Sequence, residues 1–321
     1  MHSRRTLLKF AGAASLASLA HGGALASPFP SRPINLIVPF SPGGGADRWS
    51  RVISSVALDV VDQPLRVRNI PGASGTTGWK EMLEQPADGH TAIIASPTPV
   101  IELMVNPVPS VTPHKVKIVC LISAFNAILV SRPGGQWSDW MGLIDYAKTN
   151  PGKLTFGMTY SDLIGAALAL RGAGVDAELI PYSSTSNAVT DLLGGKIDVT
   201  SVTPSTALSM YPDQIITLLN ATKMALPDAV GKQLGHPPHA VDLGYPAINF
   251  PRWIGVHPDT PDWIVADLSA KIGEMLEQKS LKTIMGRMGE EIIFAPHLQA
   301  QAQYAELLSG VESVVKQMKQ K

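Results

Sequence analysis

The sequence predicts an α/β protein with two lobes, each built on a mostly parallel sheet flanked by helices. Segments typical of strands and of helices alternate along the whole chain, as they do where helical crossovers join parallel strands. The 321 residues suffice for two cores of ordinary domain size. The single cysteine, Cys120, lies in an apolar run and cannot form an internal disulfide, so apolar burial must stabilise the fold.

The first 26 residues have the features of a cleaved export signal. Arg4 and Arg5 precede a short, weakly apolar run, and Ala24-Leu25-Ala26 is a small-x-small cleavage pattern before Ser27. The run is too short to span a bilayer. The arginine pair favours the twin-arginine route, while a Sec signal with an accidental arginine pair remains open. We expect a mature chain that begins at Ser27 and resides in the periplasm.

The charge balance argues against nucleic-acid binding. Removal of the signal with its three basic residues would leave a net charge of −3, and the remaining Lys and Arg residues are scattered or terminal. Phosphate affinity grows with the number of clustered basic contacts. We therefore expect neither DNA nor RNA as a partner.

The predicted elements fall into two sets, with the long apolar run from Lys117 to Val130 between them. We interpret that run as two extended pieces, the second of which leaves the first lobe. The first set comprises strands Ile34–Pro39, Leu65–Asn69 and Thr91–Ala95, and helices Ala46–Val60 and Thr77–Leu83. The second comprises a helix capped by Ser138 and ending at Lys148, strands Leu154–Gly157, Glu178–Pro181 and Ile197–Ser201, and helices Leu163–Arg171, Asn187–Leu193 and Ser205–Tyr211. An irregular region Lys223–Phe250 is followed by strand Trp253–His257, helices Pro261–Leu276 and Leu281–Met288, a short strand Ile292–Phe294 and helix Leu298–Lys319.

The run INLIVPFSPGGGAD at residues 34–47 is a strand that ends in a glycine loop and opens a helix. Such a loop presents unpaired N–H groups and the positive end of a helix dipole, which suits a carboxylate or phosphate. The loop lacks the Lys-Ser/Thr ending of a P-loop, and Arg68 and Asn69 stand where a dinucleotide fold has its acidic residue. We favour binding of a small anion; a turn that simply needs positive φ remains open.

A second glycine loop, NIPGASGTTG at residues 69–78, also follows a strand and opens a helix. Two such loops at neighbouring strand ends would face one crevice, where open α/β sheets bind ligands. Residues Ser96 to Thr98, after the third strand, would complete the rim.

Catalytic and metal-binding patterns are not apparent. The sequence has no G-x-S-x-G elbow and no H-E-x-x-H motif. The nearest metal pattern is His236 and His239 with Asp242, but the two intervening prolines prevent a helix that would align the imidazoles. We expect no enzymatic activity, no cofactor and no metal, although a Ser-His-Asp set drawn from distant residues remains open.

Several motifs together resemble one family of solute receptors along essentially the whole mature chain. They are PINLIVPFSPGGGAD at 33–47, the loop at 69–78, PADGHT at 86–91, AKTNPGKLTFG at 147–157, PY at 181–182, DLLGGKID at 191–198 and WIGVHPDTP at 253–261. The chain is thereby identified as resembling the substrate-binding proteins of tripartite tricarboxylate transporters, also called Bug receptors.

The resemblance implies a type II-like periplasmic-binding-protein (Venus flytrap) fold that closes on a small organic anion. Residues 27–124 and 253–321 would form lobe 1 and residues 125–252 lobe 2, with hinges near Ala124–Asn126 and Arg252–Gly255. The ligand would be a mono-, di- or tricarboxylate or an amino acid. We expect the receptor to be a monomer, with a tripartite-type membrane permease as its partner, or a sensor domain if transport has been lost.

Ligand-binding residues follow from the resemblance by position. In lobe 1 they would be Phe40, Ser41, Pro42, Gly43, Gly44, Asp47, Gly75, Thr76 and Ser96; in lobe 2, Thr159, Tyr160, Ser161, Tyr182, Ser183 and Thr203, with Ser201 to Pro204 closing the far side. Lobe 2 departs from the family pattern, because MTYSD at 158–162 replaces a glycine-rich run and PYSS at 181–184 replaces Pro-Tyr-x-Gly. The bulk of Met158 and Tyr160 predicts a narrower pocket.

Overall fold

A computed structural model describes residues 29–109 and 111–318 of the chain. The predicted export signal, residues 1–26, lies outside the described residues. Within them, no helix has both the length and the apolar character that crossing a bilayer requires.

Two five-stranded sheets form the framework. The first has the strand order β2-β1-β3-β10-β4 and the second the order β7-β6-β8-β5-β9. The strands are β1 Ile34–Val38, β2 Leu65–Asn69, β3 Thr91–Ala95, β4 Lys117–Phe125, β5 Ile128–Ser131, β6 Thr155–Met158, β7 Glu178–Pro181, β8 Val199–Val202, β9 Ile216–Asn220 and β10 Phe250–Val256. The two-lobed α/β prediction is confirmed.

Both sheets contain parallel and antiparallel strand pairs, and the way the strands are connected explains this in each sheet. Strands β1, β2 and β3 are parallel, as are β6, β7 and β8, because helices connect them. Strand β10 is antiparallel to β3 and β4, and β5 is antiparallel to β8 and β9. Strands β5 and β10 are the ones that enter each sheet directly from the other, without a helical crossover.

Twelve helices cover the faces of the two sheets within the described part of the chain. They are α1 Gly45–Ser55, α2 Leu58–Val61, α3 Thr76–Leu83, α4 Pro97–Val105, α5 Trp140–Thr149, α6 Tyr160–Ala173, α7 Thr185–Leu193, α8 Pro204–Met210, α9 Asp228–Gln233, α10 Asp262–Glu277, α11 Lys279–Arg287 and α12 His297–Met318. A single 3₁₀ turn, Ala73–Gly75, precedes α3.

Five sequence-based assignments need correction. Asp139, not Ser138, caps α5, since its Oδ1 accepts the N–H of Gly142. Helix α4 and strand β9 were not predicted, and the long irregular region contains the short helix α9. The segment Ile292–Phe294 is not a strand, although the Ile293 N–H donates to Ile122 O and Ala295 bridges to Leu121.

Each sheet has its own apolar core on both faces. Trp49 packs with β1 and β3 on one face of the first sheet, and Trp79 lies on the other face. In the second sheet, Phe156 of β6 packs in one core cluster with Trp140 of α5. Cys120 is buried in the first core, and burial raises the pKa of its thiol well above the ordinary value, so it stays a neutral apolar side chain.

The chain passes between the sheets at two points that lie side by side. The first pass follows Phe125, where β4 ends, and reaches β5 through Asn126. The return pass is at Asn249, since Ile248 bridges to Thr222 beside the second sheet and Phe250 pairs with Phe125 in the first. The predicted hinge at Arg252–Gly255 therefore lies inside β10, held by β3 and β4 on either side.

Candidate ligand-binding cavity

A cavity of about 60 Å³ lies between the two sheets. Both lobes contribute to its walls, and most of the lining side chains are small or hydroxylated. The lining residues are Phe40, Ser41, Gly44, Gly45, Ala46, Ser96, Thr98, Phe125, Asn126 and Arg252 from the first sheet and its connections, and Thr159, Ser161, Asp162, Ser184, Thr185, Ser186, Ser201, Val202 and Thr203 from the second.

Helix N-termini converge on this cavity from both lobes. Helices α1, α4, α6 and α7 all begin among the lining residues. The N-cap residues of α1, α4 and α6 make no side-chain capping hydrogen bond. The first N–H groups of a helix have no intrahelical partner and carry partial positive charge. The cavity is therefore electrostatically suited to an anion.

The first glycine loop has its shape because a buried carboxylate holds it from behind. Asp47 accepts hydrogen bonds from the Gly43 N–H at 2.9 Å, from Asn69 Nδ2 at 2.9 Å and from Arg51 Nε at 3.0 Å. Gly43 has φ +86°, which favours glycine. Although burial raises the pKa of Asp47, these hydrogen bonds bring it below its ordinary value. Asp47 thus shapes the loop from outside the cavity, and the residues of this segment that line the cavity are Phe40, Ser41, Gly44, Gly45 and Ala46.

Arg252 is a buried cation in the cavity wall. It is 2% exposed, and its guanidinium lies over the rings of Phe125 and Trp49, at 4.9 and 5.5 Å from their centroids. Its Nη1 donates to Ser123 Oγ at 2.8 Å and lies 3.7 Å from Glu290 Oε2. Burial lowers the pKa of Arg252, while the neighbouring carboxylates of Glu290 and Asp162 raise it.

The Arg252 guanidinium adjoins the N-terminus of α1. A Cβ atom added to Gly45 would lie 3.2 Å from Arg252 Nη2. Backbone N–H groups and guanidinium N–H groups therefore meet at one wall of the cavity. Charged hydrogen bonds to such a pair of donors are among the stronger interactions that a carboxylate makes in a protein.

Asp162, in the first turn of α6, is the other charged side chain among the lining residues. Thr159 Oγ1 donates to its Oδ2 at 3.1 Å, whereas its Oδ1 is buried and has no hydrogen-bond partner among the described residues. Burial raises the pKa of Asp162 to about 6; hydrogen bonding by the hydroxyl groups of Thr159, Ser201 and Ser161 and the charge of Arg252 act in the opposite direction.

Hydroxyl and amide groups fill the remaining walls. Thr98 Oγ1 and Ser161 Oγ are 2.6 Å apart and join α4 to α6. Asn126 is buried, and its Oδ1 accepts from Thr222 Oγ1 at 2.7 Å. This contact fixes the orientation of the amide and leaves its Nδ2 group to donate.

Several contacts join the two lobes around the cavity. Ser184 Oγ donates to Ser41 Oγ at 3.3 Å, and Ser186 Oγ donates to the Pro42 carbonyl at 3.1 Å. On the opposite side, Ser205 Oγ donates to Glu290 Oε1 at 3.1 Å. Arg48 Nη1 also donates across the lobes, to the Ser205 carbonyl at 3.1 Å. Within lobe 1, Trp49 Nε1 donates to Glu290 Oε2 at 2.9 Å and so holds the Glu290 carboxylate in place. The lobes are thus closed on one another.

The structure brings seven of the fifteen predicted site residues to the cavity and places the other eight elsewhere. At the cavity are Phe40, Ser41, Gly44, Ser96, Thr159, Ser161 and Thr203; outside its lining are Pro42, Gly43, Asp47, Gly75, Thr76, Tyr160, Tyr182 and Ser183. Ligand contact by any of them stays a prediction.

The residues outside the lining have other local partners. The Thr76 hydroxyl donates to Ala73 O, and Gly75 packs near Pro99. The Tyr182 hydroxyl donates to Asp191 Oδ2, and Ser183 Oγ accepts from Asn187 Nδ2. Tyr160 packs against the second core, and Pro42 and Gly43 are exposed.

Sequence reasoning missed Arg252, Asp162, Phe125 and Asn126 as cavity residues. Arg252 had a usable signal, because it interrupts the apolar run FPRWIGV and a charged residue in a buried strand requires a partner. No sequence signal marked Asp162 as a cavity residue, because an acidic residue in the first turn of a helix is ordinarily explained by its favourable interaction with the helix dipole.

No group of three or more His, Cys, Asp or Glu side chains in the described part of the chain is arranged to hold a metal ion. His239 Nε2 instead lies 2.8 Å from the Thr222 carbonyl, and Asp242 is 3.8 Å from its Nδ1.

Comparison with known proteins agrees with this architecture. The model of the tripartite tricarboxylate transporter family receptor matches residues 50–318. A protein encoded in the tcbD-tcbE intergenic region of Pseudomonas sp. (strain P51) is 30% identical over 277 residues, which cover 80% of each chain. The solved structure of the periplasmic binding protein BugD has a TM-score of 0.80 at 20% identity and covers 90% of this chain and 98% of its own. An R. palustris protein solved with adipate has a TM-score of 0.79 at 23% identity, over 90% of this chain and 97% of its own.

Proposed function

This chain belongs to the tripartite tricarboxylate transporter receptor family, and from that premise we propose that it captures a small organic carboxylate between its two lobes and delivers it to a permease of that transporter type. The receptor would be exported to the periplasm by its N-terminal signal and act without chemical change of the ligand. We propose lobe 1 as residues 27–124 and 253–321 and lobe 2 as residues 125–252; β10 begins three residues before the second boundary.

The observation that carries the proposal is the wall formed by the α1 N-terminus and Arg252. It supplies backbone and guanidinium donors to one point, and α6 and α7 direct their positive ends toward the same space from the other lobe. The adipate-bound R. palustris protein supports the ligand class by likeness of fold alone.

The energy of binding would also drive closure. Hydrogen bonds to charged groups contribute roughly 1.5–3 kcal/mol each, so a few donors from each lobe supply the roughly 8 kcal/mol of a micromolar complex after ordering costs. A ligand that contacts both lobes binds the closed form better than the open form, and this difference in affinity is what shifts the population toward closure.

The test is a thermal-shift screen of the purified protein against mono-, di- and tricarboxylates and amino acids. A ligand at 100 times its dissociation constant adds about 2.7 kcal/mol to stability. The variant Gly44→Asp should lose the shift, because it places a negative charge at the anion site. Gly44 has φ −77°, and an added Cβ meets nothing closer than 3.9 Å; Asp is also a favoured N-cap residue, so the variant should fold.

Gly135→Asp is the matched control, since Gly135 is exposed and an added Cβ there lies 3.8 Å from its nearest neighbour. It should keep the shift. An undiminished shift in Gly44→Asp would remove the first loop from the site, and the absence of a shift with every carboxylate would refute the proposed function. A receptor that binds carboxylates but signals through a sensor domain would show the same shifts and fail to support uptake.

A further inference from the structure

Asp162 is a feature that anion capture alone does not explain. Its carboxyl lines the cavity, is 5% exposed and has one oxygen without a hydrogen-bond partner among the described residues. A buried unpaired acceptor costs free energy unless some other molecule satisfies it. In a cavity built for an anion, a second negative group is also unfavourable by itself.

Helix capping does not account for this carboxyl. The sequence Thr159-Tyr-Ser-Asp162 fits the spacing of a capping box, in which the acidic side chain would accept the N-cap backbone N–H. In the structure the Thr159 side chain donates to Asp162 Oδ2, and α6 has no side-chain capping hydrogen bond. Oδ1 therefore has no role within the helix.

The two charged groups of the cavity are close enough to interact. The charge of Arg252 lowers the pKa of Asp162, against the larger effect of burial. The donor-rich wall at Arg252 and the α1 N-terminus thus shares the cavity with an acceptor, Asp162 Oδ1, that has no hydrogen-bond partner among the described residues. An α-amino acid fits such a cavity, because it carries a carboxylate that accepts hydrogen bonds and an ammonium group that donates them on the same carbon.

Resting on the function proposed above, we propose that the cavity selects a short α-amino monocarboxylate, with its carboxylate at Arg252 and the Gly45 N–H and its ammonium donating to Asp162 Oδ1. The ammonium satisfies the unpartnered oxygen and neutralises the buried carboxylate. A dicarboxylate would instead bring its second negative charge toward Asp162, where two like charges repel in a weakly solvated space.

The size of the cavity agrees with a short ligand. Its volume is about 60 Å³, and a water needs roughly 10–15 Å³ on the same scale. The cavity of the closed form can therefore hold about as many non-hydrogen atoms as glycine or alanine contains.

The experiment is isothermal titration calorimetry at pH 7.5 with ligands matched in carbon number. Each set of two, three or four carbons contains the unsubstituted monocarboxylate, the α-amino acid, the α-hydroxy acid and the dicarboxylate; the three-carbon set is propionate, L-alanine, L-lactate and malonate. In at least one set the amino acid should bind ten-fold or more tightly than the other three.

The variant Asp162→Asn should reduce this preference to within about three-fold and improve dicarboxylate binding, because Asn keeps the shape and removes the charge. Asp145→Asn, which alters an exposed carboxylate on α5, should leave the ranking unchanged. Equal or tighter binding of the hydroxy acid or dicarboxylate in every set would overturn the ammonium assignment while the carboxylate receptor stands. Failure of every carboxylate, including those of the thermal-shift screen, would overturn both.

Discussion

Replacing Asp162 by Asn should make the unliganded protein more stable at neutral pH, although it removes a charged group from the binding cavity. Burial raises the pKa of this carboxyl to about 6, from an ordinary 3.8. The folded state therefore binds the proton more tightly than the unfolded state does. The stability that this proton contributes is fully present below the unfolded pKa and is lost as pH rises through the folded pKa near 6.

The magnitude follows from the displacement of the pKa. A shift of this size, at about 1.4 kcal/mol per unit, corresponds to about 3 kcal/mol of unfolding free energy lost between about pH 3 and pH 8. Asn mimics the neutral carboxyl at every pH, so the variant should exceed the wild type by about 3 kcal/mol at pH 8 and by only about 1 kcal/mol at pH 4.5.

The assay is urea denaturation followed by tryptophan fluorescence at several pH values between 4.5 and 8. Four tryptophans, Trp49, Trp79, Trp140 and Trp253, are fully buried and report on both lobes. The difference between wild type and Asp162→Asn isolates this one group, since the other titrating residues are common to both proteins. A variant that is less stable than the wild type at pH 8, or a difference that does not change with pH, would refute the assignment of a buried, destabilised carboxylate.

Two further substitutions test the contacts around the cavity. Gly45→Ala should weaken ligand binding about five- to 160-fold by calorimetry, because its Cβ would lie 2.6 Å from Thr203 Cγ2 of the other lobe and overpacking costs about 1–3 kcal/mol. Unchanged affinity would show that the lobes do not approach this closely in the complex. Glu290→Gln should lower the free energy of unfolding by about 3 kcal/mol in urea at pH 7.5, since removal of one partner of a buried ion pair is strongly destabilising and the buried Arg252 would keep only the charge of Asp162. The exposed Glu274→Gln should change it little, and equal stabilities of the two variants would contradict the role of Glu290.

Local sequence patterns predicted the parts of the fold that local chemistry determines. Strands β2, β3 and β7 match their predicted bounds, because β2 alternates apolar and polar residues, β3 is a short apolar run and β7 is a short segment that ends at a proline. Helix α4 was missed since Pro97 and Pro99 read as a loop; both prolines lie in the first turn, where a helix has no N–H bond to lose.

The candidate site was predictable to the extent that it is built from glycine loops. The α1 N-terminus follows from the run at 34–47 alone, whereas the engagement of Asp47 with Asn69 depends on β1 and β2 lying side by side. The juxtaposition of Arg252, in a strand of the first sheet, with Asp162, in a helix that packs on the second, brings together residues far apart in the chain, and no local periodicity encodes it. Long-range packing of this kind is what a single sequence leaves undetermined.

The central claim is that a ligand carboxylate binds where the α1 N-terminus meets Arg252, with the opposite lobe closed over it. A crystal structure of the complex with the tightest ligand from the calorimetric series tests this most directly. We expect one carboxylate oxygen within about 3.2 Å of a backbone N–H of the Gly45–Ala46 turn or of an Arg252 nitrogen, the usual range of a hydrogen bond. A carboxylate bound elsewhere in the molecule, or a ligand recovered chemically altered, would contradict the account.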